Sequence, residues 1–102
     1  MPNKIDKKIL SELRAITKDK MNWRTAIDDV VAKFGGQYST DVKAKALRLL
    51  GEMGLQYPLQ VQPYIEQIAY YLTDDNPKLR ERSVNALGRI GRANKDLILP
   101  YF

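Results

Sequence analysis

Apolar residues recur along this chain every three or four positions, the spacing that gathers them on one stripe of a helix. Ile5, Ile9, Leu10, Leu13 and Ile16 make a first stripe; Val42, Ala46, Leu47, Leu49, Leu50 and Met53 make a later one. Between and after them, Trp23, Ile27, Val30, Val31 and Phe34 match Val61, Ile65, Ile68, Ala69 and Leu72 at an offset of 38. The alternation expected of strands is absent. A longer period overlies the helical one. Residues 42–54 align with residues 79–91 at an offset of 37, so Leu47, Leu50, Gly51 and Gly54 fall on Val84, Leu87, Gly88 and Gly91. Pro63-Tyr64 falls on Pro100-Tyr101 in the same register. Shifting back once more sets Ile5, Lys8, Leu10, Leu13 and Ile16 under Val42, Lys45, Leu47, Leu50 and Met53, with Arg14 and Thr17 in the glycine places. Self-similarity at a period of roughly 20–50 residues signals stacked repeats, and an end repeat is atypical because one side lacks a neighbour.

Each repeat reads as two helices. First helices are predicted over residues 3–17, 40–54 and 77–92, and second helices over 23–34 and 59–72, with a short third one starting near Asp96. Repeats then occupy residues 3–36, 40–73 and 76–102 of one domain spanning 1–102. Asn3, Ser39 or Thr40, and Asn76 suit the N-cap, Pro77 suits the first helical position, and Gly35-Gly36 closes the earlier second helix. The stripe residues are expected to form the core, Trp23 included. Gly51 and Gly88 stand inside helices, where a glycine costs about 1 kcal/mol relative to alanine. Their recurrence implies close approach by a neighbouring helix, whereas Gly54 and Gly91 are expected to let the helix end. The short last repeat is expected to leave Leu79, Val84, Leu87 and Ile90 uncovered. On that reading the chain is either the N-terminal part of a longer solenoid or self-associates through its open C-terminal end.

Composition narrows the chemistry. The 102 residues include no cysteine and no histidine, which removes disulfides, thiolate chemistry, and the commonest general base and nitrogen ligand. Asp28-Asp29 project about 100° apart on a helix and do not converge. Asp74-Asp75 precede a helix start, where acidic residues are favourable, and lack the glycine and distal glutamate of a calcium loop. No catalytic residue, metal or cofactor is expected. No run of about 18 apolar residues occurs, nor an apolar leader after Met1-Pro2-Asn3-Lys4, so no membrane span is expected and the cytoplasm is the default location.

Residues 74–91 resemble a HEAT repeat: an acidic turn at Asp74-Asp75, the pair Leu79-Arg80, small Ser83, then Leu87-Gly88 and Ile90-Gly91. Residues 41–54 are a second match with Lys43 in the arginine place, and Asp6 fills that place in the first copy. The resemblance implies an all-α fold, a right-handed α-solenoid of about two and a half to three helix hairpins. First helices would be convex, second helices concave, and Arg80 would bond to the acidic turn. It further implies non-catalytic scaffold or adaptor work through protein binding. Some HEAT-like proteins are DNA-alkylation-repair glycosylases or phycobilin lyases; no catalytic residue of either matches a position here, and a fragment of a larger HEAT-like enzyme is a further alternative.

Two surfaces are candidates. On the second helices, Gln62, Glu66, Gln67 and Tyr70 turn away from the core, Tyr64 and Tyr71 flank it, and Arg24, Asp28, Asp29 and Lys33 hold the matching places one repeat earlier. Tyrosines are enriched at protein interfaces, so this face is the expected protein-binding site. The net charge of +5 resides on the first helices, with the remainder net acidic. Lys8, Lys45 and Arg82 make a row with Arg48, Arg89 and Arg14 nearby, which could neutralise phosphates and is the alternative, nucleic-acid-binding surface. A solvated outer face is the plainer explanation, since no aromatic residues interleave the row.

Overall fold

The computed structural model describes residues 4–102 and is helical throughout, with no strand among them. Three long helices form one layer: α1 (Lys4–Lys18), α3 (Thr40–Gln56) and α6 (Pro77–Ala93). The Ser39 hydroxyl starts α3 by accepting from the Val42 N–H at 3.3 Å. Asn76 starts α6 by accepting from the N–H groups of Lys78 at 2.9 Å and Leu79 at 3.4 Å, with Pro77 in the first turn. Each cap satisfies donors that a helix start leaves unpaired. Asn3, the expected cap of α1, lies outside the described residues.

The second layer is made of shorter pieces. Residues 23–34 form α2 (Trp23–Val31) followed by a 3₁₀ turn, Ala32–Phe34. The helix expected over 59–72 is broken into α4 (Pro58–Val61), a 3₁₀ turn Gln62–Tyr64, α5 (Ile65–Ala69) and a 3₁₀ turn Tyr70–Thr73. Pro63 causes the first break, because its nitrogen carries no hydrogen for the Leu59 carbonyl and its ring clashes there. The same device recurs one repeat later: Pro100 sits in the 3₁₀ turn Leu99–Tyr101, 37 residues after Gln62–Tyr64. The third second helix is accordingly two 3₁₀ turns, Lys95–Leu97 and Leu99–Tyr101.

The layers bury one continuous core. Leu13, Trp23, Val30, Val42, Leu47, Leu50, Met53, Val61, Ile68, Leu87 and Ile90 are all but fully enclosed. The Trp23 Nε1–H donates to the Ile16 carbonyl at 2.8 Å, fastening α2 to the end of α1. Buried Ser83 fastens the layers farther along, its hydroxyl donating to the Ile68 carbonyl at 2.6 Å. One expected core residue is outside: Ile5 is 71% exposed. Leu79, Leu87 and Ile90 are buried within the chain itself, against the expectation that they lack cover; of that stripe only Val84 faces out. Val84 lies on the outer edge of α6, and the other three face α3 and the second layer.

The glycines divide differently from their sequence reading. A Cβ at Gly51 would lie 2.8 Å from the Cα of Ala86, so α6 crosses α3 backbone to backbone at this point. Gly88, the same repeat position, has nothing within 4 Å of where its Cβ would be. Gly54 and Gly91 do not end their helices. Each admits an isoleucine, Ile90 and Ile98 respectively, and no described residue has a positive φ of the kind a glycine terminator uses. Arg14 holds the glycine place in α1, and α1 packs on α3 less closely than α6 does.

Candidate functional site

The broken course of the second layer decides which side chains face out. The turn at Pro63 carries Tyr64, whose hydroxyl donates to the Asp28 carboxylate of the preceding repeat. That bond raises the Tyr64 phenol above the ordinary value of 10.0, with desolvation and the Asp28 charge acting in the same direction. Tyr64 is therefore an inter-repeat tie, and Asp28 is engaged by it. A group whose folded-state value is raised contributes stability that is present below its unfolded value and is lost as pH climbs through the folded one. Tyr64→Phe is expected to remove a phenol that titrates above the ordinary value from an alkaline ultraviolet titration, and to flatten part of the stability loss above pH 10.0. Loss of a phenol that titrates at the ordinary value would show that the tie does not hold in solution.

Beyond Tyr64 the next break turns Tyr70 outward, 72% exposed, beside Tyr71, which is 6% exposed. The Tyr70 and Tyr71 rings meet nearly perpendicular at 5.4 Å, and Tyr71 meets Phe34 at 5.3 Å and 57°. Edge-on and tilted contacts of this kind are favourable packing for aromatic rings. The three rings wall a groove of about 410 Å³ whose other lining residues are Glu66 and Gln67. Burial, then the nearby Asp74 and Tyr70, pushes the Tyr71 phenol above its ordinary value. On its far side Tyr70 borders a second hollow with Ala69, Thr73, Asp74 and Asp75.

Of the residues expected on this face, Glu66, Gln67, Tyr70 and Tyr71 are brought together, and Gln62 is exposed one turn before them. Arg24 and Asp29 are exposed on α2 and outside the groove lining. Lys33 is drawn elsewhere: its ammonium lies 5.2 Å from the Tyr38 ring centre and 4.0 Å from the Glu12 carboxylate. Phe34 was missed. Its place on the apolar stripe assigned it to the core, and its position last on that stripe, beside Gly35-Gly36, was the available sign that it sits at a rim.

The basic row is less coherent. Lys45, Arg48 and Arg82 line a cleft of about 280 Å³ together with Leu10, Ala44, Asp41 and Lys78. Asp41 accepts from Lys78 at 3.1 Å and Arg48 lies 3.9 Å from Glu52, so carboxylates interrupt the positive surface. Desolvation, then Arg14 and Arg48, lowers the Lys45 ammonium below its ordinary value, with Glu52 opposing. Arg89 lies along α3 at the Gly51 crossing, and Lys8 is exposed on α1. Arg80 donates to the backbone carbonyls of Asp74 at 2.7 Å and Asp75 at 3.1 Å, closing the acidic turn as the resemblance implied.

Among the described residues no group of three or more acidic side chains gathers to hold a metal ion, and no helix is long and apolar enough to cross a membrane. Paired helices with a shared period, stacked so that one repeat's backbone enters the next at a glycine, define an all-α helical repeat protein. The model of the HEAT-like repeat matches residues 40–90, half of the chain, and the chain belongs to that family. No curated protein and no solved structure gives a significant match. Modules of this family are generally non-catalytic and mediate protein interactions.

Proposed function

We infer that this chain is a protein-binding scaffold that engages its partner through the second-helix face, centred on the groove of Phe34, Glu66, Gln67, Tyr70 and Tyr71. The observation carrying this reading is the exposed Tyr70 held edge-on against buried Tyr71. An aromatic ring already fixed by a packed neighbour loses little freedom on binding, and such residues dominate interface energetics. Glu66 and Gln67 supply polar groups at the rim, and the tie from Tyr64 to Asp28 keeps the two repeats in register beneath the groove. Scaffold work asks nothing further of the site: no nucleophile, base or metal is needed.

A crosslinking capture from native extract, run with and without nuclease, tests this. Tyr70→Ala is expected to weaken capture at least tenfold, about 1.4 kcal/mol or more, and Glu66→Lys to change the set of captured proteins. Both variants should keep the native circular dichroism, because both side chains are exposed. Capture that survives both changes would overturn the reading, as would capture that vanishes with nuclease while depending on Lys45 and Arg82.

A further inference from the structure

We propose that the outer face of α6 is a dimer interface, on which two copies of this chain pack α6 against α6 antiparallel about a two-fold axis between residues 86 and 87. The precedent lies inside the molecule. At Gly51 the absent side chain lets a second helix approach until Ala86 Cα occupies the space a Cβ would need. Gly88 is the same position one repeat on, with the same bare backbone, and nothing fills it. Leu47, flanking Gly51, is fully buried, whereas its counterpart Val84 is 46% exposed. A groove of about 400 Å³ runs there, lined by Val84, Asn85, Gly88, Arg89 and Arg92.

The occupant follows from the order of residues along this face. Glu81, Val84, Asn85, Gly88 and Arg92 fall within about 100° of arc at 100° per residue, so they form a single stripe down α6. Acid stands at one end and base at the other, with the two smallest contacts between them. An antiparallel second α6 reverses that order and meets it. Under the two-fold, Gly88 faces Asn85 of the second copy, Val84 comes beside Arg89 where it borders the groove, and Glu81 faces Arg92. Each pairing occurs twice, as an isologous interface requires. Neither Glu81 nor Arg92 has an ion-pair partner among the described residues, so both are available for it. A glycine at the crossing allows the axes to approach to about 8 Å, the short end of the range for packed helices. The groove of the proposed scaffold reading lies in the other layer, so the two can fail independently.

Sedimentation equilibrium across micromolar to millimolar concentrations tests the proposal. The unaltered chain is expected to show a monomer–dimer equilibrium. Gly88→Leu should weaken it at least tenfold while thermal unfolding of the monomer is unchanged or later, since leucine favours the helix. Glu81→Arg should weaken it by setting arginines face to face. Glu81→Arg combined with Arg92→Glu should restore it, a rescue that a general effect on folding cannot give. A chain that is monomeric throughout would overturn the proposal. So would a dimer indifferent to Gly88→Leu, or a charge swap that fails to rescue.

Discussion

Trp23→Ala is expected to destabilise the chain by about 3–5 kcal/mol, the range for truncating a large buried aromatic. Small domains hold only about 5–15 kcal/mol in total, so the variant would unfold far earlier in urea or partly unfold without it. Two losses combine. The indole is 2% exposed and fills the junction of α1 with α2, so its removal leaves a cavity that the sparse packing of α1 cannot close. The Nε1–H bond to the Ile16 carbonyl goes as well. Trp23→Phe separates these effects. It keeps most of the volume and loses the bond, but the Ile16 carbonyl still accepts from the Asp19 N–H at 3.1 Å. Its expected cost is therefore nearer 1 kcal/mol, the net value of a typical hydrogen bond. Equal midpoints for the two variants would show that the fastening, and not the filled junction, carries the effect.

The second large effect is a contrast of sign. Gly51→Ala places a methyl 2.8 Å from the Ala86 Cα, and backbone cannot step aside as a flexible side chain would. Overpacking of this kind costs about 1–3 kcal/mol. About 1 kcal/mol returns through helix propensity, leaving a net loss. Gly88→Ala gains the same propensity against open space, so it should stabilise by up to about 1 kcal/mol. Chemical denaturation of both variants, at concentrations where the chain is monomeric, reads the difference directly. If both alanines shift the midpoint the same way, α6 does not cross α3 at Gly51.

The repeat period made the two glycines look alike, and locally they are alike. What separates them is whether another helix lies opposite, which no property of residues 84–92 encodes. The same limit explains Val84, apolar and in phase with Leu47 yet facing outward. Periodicity reported burial well where a stripe is central, as at Val61, Ile65 and Ile68, because those side chains face the first layer whatever their neighbours do. It reported less completely at a stripe's end, where Phe34 packs against the core with one side and walls a groove with the other. The course of the second layer was legible and overlooked: Pro63 stood inside residues 59–72 and cannot continue a regular helix. Gly54 and Gly91 stand near a helix end, where a glycine commonly terminates, yet α3 and α6 run on past them and each glycine takes an isoleucine instead. The tie between Tyr64 and Asp28 had no local sign, since its members are 36 residues apart.

The prolines at 63 and 100 give the two sides of the slab unequal stiffness. The first side is three uninterrupted rods, each turn braced by the next. The second is a series of short segments joined at 3₁₀ steps, in which a small rotation at one joint re-aims the rings beyond it and costs few main-chain bonds. Bending is therefore expected in the surface that carries Tyr70, while the rods behind it hold the spacing.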